Sequence, residues 1–224
     1  MADVVGALNE QIQADFVPYW HVKATVGAYV KPPPATWQII IQTKLDEPGA
    51  LGYHTEDTHQ QPIAYCDDEG EWSVTVSHEL LEMLADPAGF RLTSARLPQG
   101  LDLEYAHFGL RYKSSRVHYL VEVCDPCENT AYEVGGVAVS DFLLPTWYRT
   151  SVLAGVAYSR VSGCESPREI AKGGYVSFAN NAGEWFQAYN DNGQLSAEDI
   201  GKFSRKRFAS LREFADHKAR ERRT

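Results

Sequence analysis

The chain has 224 residues, of which 44% are hydrophobic and 12% aromatic, which is typical of a folded globular protein and excludes a disordered one. The formal net charge is −9, yet residues 202–224 hold nine Lys or Arg against three Asp or Glu, so an acidic body carries a basic tail. This balance argues against a nucleic-acid-binding domain. No apolar run approaches the roughly 20 residues that cross a bilayer, and the first residues lack the features of a signal peptide, so we expect a soluble protein.

The first part of the chain predicts one helix followed by strands. Apolar residues recur at helical spacing from Asp3 to about Phe16, and Pro18 is expected to end this helix. Alternation over His21–Val30 predicts a strand, and the continuous apolar centre of Trp37–Lys44 predicts a strand that is buried on both faces. A further short strand is predicted at Pro62–Cys66.

The next element is a helix of about Ser73 to Ala85, and it contains the most informative motif of the chain. His78 and Glu82 are four residues apart, so on a helix they share one face, about 6 Å apart along the axis. This spacing lets two side chains hold one metal ion. Because a buried carboxylate without a partner is costly, Glu79 and Glu82 either face solvent or are paired with a cation or hydrogen-bond donors.

The second half predicts more strands than helices. Arg116–Cys124 is a clear strand pattern, and a short strand is expected within Val134–Val139. The aromatic segment Ser140–Tyr148 predicts a packed loop or a short helix. Two further runs, Gly173–Phe178 and Glu184–Tyr189, flank Asn-Asn-Ala-Gly and predict a hairpin.

The order of these elements predicts an α+β fold. We assign residues 1–195 to a single α+β domain and residues 196–224 to a basic helical tail, with Ser196–Asp199 as a helix cap.

Four cysteines are too few for a disulfide scaffold in a chain of this length. Cys124 and Cys127 have the spacing of zinc ligands, but a structural zinc site there would need Cys66 and Cys164 from distant segments. Buried thiols or one local disulfide are the alternatives.

The segment Val76–Pro87 resembles the active-site helix of the zincin metallopeptidases, with Glu82 where their second His stands. The chain more closely resembles a group of bacterial and phage-encoded zincin-like proteins. Their Ser-His-Glu-x-x-Glu-x-x-x-Asp-Pro helix is followed by Glu-x-x-Asp-x-Cys, which is Glu122–Cys127 in this chain. Gly52–His54 and Ser140–Trp147 are also similar, so that the likeness runs from about residue 49 to residue 147.

The resemblance implies a zincin-like, more narrowly gluzincin-like, mixed sheet with an active-site helix, in which the strand just before that helix borders the substrate cleft. It implies His78 and Glu82 as metal ligands and Glu122 as the third. Asp125 is the alternative third ligand, or a residue that orients His78. Glu79 would be the general base that deprotonates a water polarised by the metal.

Other residues near the motif have weaker expectations. Asp86 lies a further turn from Glu82 and is expected to bond backbone or a neighbouring loop. His54 could line the cleft or reach the metal, or could simply belong to a polar loop. Tyr105 or Tyr119 could supply the phenol with which some zincins stabilise an oxyanion, and the sequence does not choose between them.

The exchange of His for Glu changes the chemistry of the expected site. One His and two carboxylates make a divalent ion formally neutral, which weakens it as a Lewis acid. Zinc is the expected cofactor, and the harder oxygen ligands make manganese or calcium competitive.

Two functions therefore stand open. The first is a metal-dependent hydrolase, a zincin-like metallopeptidase acting on a peptide or protein. The second is a non-catalytic zincin-like structural or interaction protein, for example a phage virion component with protein partners, in which an ion only joins the helix to the strand of Glu122. The sequence does not give the compartment; a soluble chain without a signal peptide would be cytoplasmic or virion-associated, and we expect no membrane contact.

Overall fold

The computed structural model describes residues 1–46 and 50–223; residues 47–49, where the resemblance begins, and residue 224, where the predicted tail ends, lie outside the described residues. The fold is α+β, as predicted. The helices are α1 (Ala2–Glu10), α2 (Val17–Trp20), α3 (Trp72–Ala85) and α4 (Leu211–Arg223). The strands are β1 (Gln38–Gln42), β2 (Gly52–Glu56), β3 (Pro62–Asp67), β4 (Leu92–Ala95), β5 (Val117–Leu120), β6 (Ala131–Val134), β7 (Val137–Ser140), β8 (Tyr175–Ala179), β9 (Trp185–Asp191) and β10 (Gln194–Gly201).

The N-terminal helix runs further than predicted. A π-helical segment, Gln11–Phe16, joins α1 to α2, and the helix ends only at His21, whose φ is 58°. Pro18 was expected to end the helix, and this was wrong. It lies in the first turn of α2, directly after the π-helical segment, and the chain stays helical through it as far as Trp20.

The segment after this helix is not the predicted strand. Residues 21–30 form no strand, and their backbone bonds to side chains of the N-terminal helix instead. The Asn9 amide donates to the carbonyl of Val26 at 2.9 Å and accepts from the Val26 N–H at 2.9 Å. Gln13 donates to the carbonyl of Ala24. The alternating pattern was real, since Val22, Ala24 and Val26 pack against the core, but the partner is a helix.

A three-stranded mixed sheet supports the motif helix. Its order is β1-β3-β2, with β1 parallel and β2 antiparallel to the central strand β3. Helix α3 packs against β2, β3 and the strand β7 of the β6–β7 hairpin. The resemblance implied that the strand just before the helix borders the cleft; in the structure that strand, β3, is central, and β2 is the strand at the cleft.

A second sheet carries the C-terminal helix. Its order is β10-β9-β8-β5-β4, all antiparallel, and its β8–β9 hairpin confirms the prediction. Strand β5 ends at Leu120, four residues before the predicted end. The predicted cap Ser196–Asp199 was wrong, because these residues pair with β9 as part of β10.

Helix α4 is packed rather than solvated. Alternate residues of the second sheet face opposite sides, so Phe178 and Phe186 belong to one core and Ala179 and Trp185 to another. The second of these cores includes the apolar face of α4, namely Leu211, Phe214 and Ala215. Among the described residues, no helix is long and apolar enough to cross a membrane.

Candidate metal centre

Helix α3 presents its motif residues toward a cleft because its other side is fixed in the core. The Ser77 hydroxyl donates to the Gln11 side chain at 2.8 Å and accepts the N–H of Ser140 at 3.0 Å, and it is completely buried. These bonds set the rotation of the helix. His78 and Glu82, on the other side, lie together as predicted from their spacing, with Nε2 and Oε2 3.5 Å apart.

Asp125 completes a first ligand group with these two residues. It opens a short 3-10 turn, Asp125–Cys127, soon after β5, and its Oδ1 lies 3.2 Å from Nε2 of His78. The other oxygen of Glu82, Oε1, accepts the backbone N–H groups of Cys124 at 3.1 Å and of Asp125 at 3.3 Å. One ligand atom each from His78, Glu82 and Asp125 therefore fall within 4.8 Å of one another.

His54 brings a second group together around the same helix. It lies on β2, and its Nδ1 is 2.7 Å from Oε2 of Glu79 and 4.0 Å from Oε2 of Glu82. Its side chain is 4% exposed, and its Nε2 is the one buried side-chain N or O of the described residues that has no hydrogen-bond partner. His54 is thus a residue of the cleft wall, not of a polar loop.

The donor atoms of the first group suit a metal ion. Ligands at about 2.1 Å from a tetrahedral ion lie about 3.4 Å from each other. The 3.2 and 3.5 Å separations around His78 match this edge length. The cleft in front of the group has a volume of about 180 Å³, and Asp216 of α4 lines its wall. Buried His, Glu and Asp side chains are therefore close enough to bind a metal ion.

The charges of the cleft are poorly compensated by protein groups. Burial, and after it the charge of Glu82, raises the pKa of Asp125 to about 7, and burial raises the pKa of Asp216 to about 6. Burial also raises the pKa of Glu79 well above its ordinary value. Protons held on these carboxyl groups are what a divalent cation would replace.

The pKa values of His78 and Glu82 shift in the direction opposite to the one that burial alone would cause. Burial would lower the pKa of His78, but the Glu82 charge, the neighbouring Cys124 and the Asp125 hydrogen bond raise it well above its ordinary value. Burial would likewise raise the pKa of Glu82, but the charge and hydrogen bond of His78, and then Arg212, lower it. In the protein without an ion, these two residues form a charged pair.

The structure does not bring Glu122 to this centre. Arg212 of α4, which is 2% exposed, donates through Nε to both carboxylate oxygens of Glu122 at 2.8 and 2.9 Å, and its second nitrogen lies 2.7 Å from Oε2. β5 ends before Glu122, whose side chain pairs with α4, and Asp125 is the acid that lies beside His78 and Glu82. The same guanidinium donates to the carbonyl of Asp86 at 3.0 Å.

Asp86 has the role predicted for it. Its carboxylate accepts the backbone N–H of Phe90 at 3.1 Å and of Arg91 at 2.7 Å, closing the loop after α3. Neither tyrosine proposed for an oxyanion lines the cleft. Tyr119 is 1% exposed in the second sheet and donates to a backbone carbonyl of Arg96, whereas Tyr175, which the sequence did not suggest, is in the cleft wall.

All four cysteines are free and buried. Neither ligand group found among the described residues includes a cysteine, so the Cys124–Cys127 spacing does not mark a metal site there. Cys124 instead contacts the carbonyl of His78 through Sγ at 3.8 Å.

Sequence reasoning missed the contribution of α4. Arg212 and Asp216 are four residues apart on a helix whose neighbouring residues Leu211 and Ala215 are buried. A charged pair beside the apolar stripe of a helix is a usable signal, because buried charges need partners.

No family model, no curated protein and no solved structure matches this chain.

Proposed function

We propose that the protein is a metal-dependent hydrolase, a zincin-like metallopeptidase, with His78, Glu82 and Asp125 as ligands of the metal. The observation that carries this proposal is that these three side chains meet in one cleft. Glu79 lies beside them, on the same part of the helix as His78 and Glu82. One nitrogen and two carboxylate oxygens suit Zn²⁺, and the oxygens also admit Mn²⁺ or Ca²⁺. When bound, such an ion is a Lewis acid that makes water more acidic.

Glu79 is the base in this proposal, and His54 positions it. The 2.7 Å contact between His54 Nδ1 and Glu79 Oε2 fixes the carboxylate in the cleft. Burial keeps the pKa of Glu79 high in the protein without an ion, and a cation in the cleft would lower it toward the neutral range that a general base needs. His54 is neutral in this state, because burial and then the charge of Arg212 lower its pKa.

An extended peptide suits the shape of the site. Strand β2 is at the edge of its sheet, beside the cleft. Leu51 accepts the N–H of Asp67 from β3, and Asp57 donates to Gln61, so in this antiparallel ladder the alternate residues Gly52 and His54 turn their backbone groups outward. A substrate strand could pair there by β-augmentation and cross the motif helix. This supports a peptide or protein substrate.

The non-catalytic alternative has an observation in its favour. Glu82 already joins α3 to the turn after β5 through the N–H groups of Cys124 and Asp125. An ion there could serve only to strengthen this joint, in a structural or interaction protein such as a phage virion component. It predicts that chelators lower the melting temperature while no peptide is hydrolysed.

The decisive experiment is elemental analysis of the purified protein with a peptide-library assay of the wild type, Glu79→Gln and Glu71→Gln. Glu71 is the matched control, since it is an exposed Glu at the start of α3 without a side-chain cap bond. We expect Glu79→Gln to retain the ion and lose about 10²- to 10⁴-fold in turnover, and Glu71→Gln to behave as wild type. Turnover retained by Glu79→Gln would refute the base assignment, and a wild type that binds metal without hydrolysis would favour the alternative.

A further inference from the structure

The cleft holds a second group of possible metal ligands, which the proposed hydrolysis does not require. His54, Glu79 and Glu82 each place one ligand atom within 4.8 Å of the others, just as the first group does, and Glu82 is common to both. Oε2 of Glu82 lies between the two histidines, 3.5 Å from Nε2 of His78 and 4.0 Å from Nδ1 of His54. A carboxylate placed between two sets of ligands is the arrangement found in two-metal sites.

His54 turns its Nδ1 toward both carboxylates of the second group. It is 5% exposed and lines the cleft, whereas its other ring nitrogen, Nε2, has no hydrogen-bond partner among the described residues and is not a ligand atom of this group. Its Nδ1 is about 0.7 Å too close to Glu79 and about 0.6 Å too far from Glu82 for the edges of a tetrahedral site. An ion bound in this group would require the ring to move away from Glu79 and toward Glu82.

The charge of the cleft is sufficient for two divalent ions. Five carboxylates and one guanidinium line it, so four negative charges remain when all are ionised. The six residues are Glu79, Glu82, Asp125, Glu128, Asp216 and Arg220. Glu122 adds nothing to this sum because Arg212 neutralises it. One divalent ion would compensate half of the charge, and two would compensate all of it.

We propose that His54, Glu79 and Glu82 form a second divalent-cation site, bridged through Glu82 to the ion held by His78, Glu82 and Asp125. An ion on Glu79 takes the carboxylate lone pair that accepts a proton from water, so occupancy of the second site inhibits hydrolysis. The inhibition rests on the proposed function. The binding of a second ion does not.

The test is a titration of the metal-free full chain with Mn²⁺, in which the electron paramagnetic resonance of free Mn²⁺ counts the unbound ions. Mn²⁺ prefers oxygen and imidazole ligands to thiols, so the buried cysteines do not enter the count. We expect two ions per chain in the wild type and one in His54→Ala. His59→Ala is the matched control, since His59 is an exposed histidine just beyond β2, and should bind two. Glu79→Gln preserves the shape of the cleft and should also bind one, which guards against a folding defect of His54→Ala.

The outcomes separate this inference from the proposed function. A wild type that binds one ion, or His54→Ala and Glu79→Gln variants that bind two, would overturn the second site and leave the hydrolase intact. Two ions with no hydrolysis of peptides would retain the second site and reject the hydrolase. With both correct, peptide hydrolysis by the wild type should rise and then fall as Mn²⁺ is increased.

Discussion

Replacing Arg212 tests how firmly α4 is held against the segment of Glu122. Arg212→Met keeps most of the side-chain volume but removes the cation that pairs with Glu122, which is itself 5% exposed. Removing one member of a buried ion pair costs about 3–5 kcal/mol, because the remaining charge is left without compensation. For a chain of this length, each kcal/mol corresponds to about 2–4 °C, so we expect the melting temperature to fall by about 10 °C.

The assay is urea and thermal unfolding followed by circular dichroism in the presence of a chelator. Arg111→Met is the control, because Arg111 is exposed and its loss should change the free energy of unfolding by less than about 0.5 kcal/mol. The double variant Arg212→Met/Glu122→Gln removes both charges and should regain part of the loss. If Arg212→Met costs less than about 1 kcal/mol, or if the double variant is no more stable than the single one, the ion pair does not stabilise the packing of α4.

Two further predictions concern the cleft. Burial raises the pKa of Asp125 to about 7, so the folded chain binds a proton that the unfolded chain loses near pH 4. The melting temperature of the metal-free protein should therefore fall as the pH rises from 6 to 8, and loading with Mn²⁺ should abolish this fall; an equal slope with and without metal would contradict it. In Gly52→Ala, the new Cβ would lie 2.6 Å from Cγ2 of Thr75 and 2.8 Å from Oε1 of Glu79. Both side chains must shift, so turnover should fall about 100-fold while the ion of His78, Glu82 and Asp125 stays bound. Gly6→Ala, where nothing lies within 4 Å, is the control, and equal turnover in the two variants would exclude a positioned Glu79.

The parts of the site that sequence could predict are those set by local geometry. His78 and Glu82 meet because residues four apart on a helix are neighbours, whatever surrounds the helix. The hairpin of β8 and β9 was likewise predictable from the turn between them. By contrast, the segment 21–30 has the alternation of a strand, and only its contact with Asn9 and Gln13 decides that it forms none.

The position of Glu122 depends on a distant residue. The resemblance favoured Glu122 over Asp125 as the third ligand, but Glu122 is paired with Arg212, ninety residues beyond it. The residues near Glu122 in the sequence do not indicate this partner. His54 was uncertain for a similar reason, since its burial against Glu79 follows from the position of β2 beside α3 and not from the polar residues that follow it in the chain.

The burial of the thiols makes the joint between α3 and the turn after β5 accessible to chemical measurement. Cys124 is completely buried and contacts the carbonyl of His78, and burial raises the pKa of its thiol well above the ordinary value. An alkylating reagent can therefore attack Cys124 only while the helix and the turn are apart. The rate at which Cys124 is alkylated therefore measures how often this joint opens, and the measurement needs no known substrate.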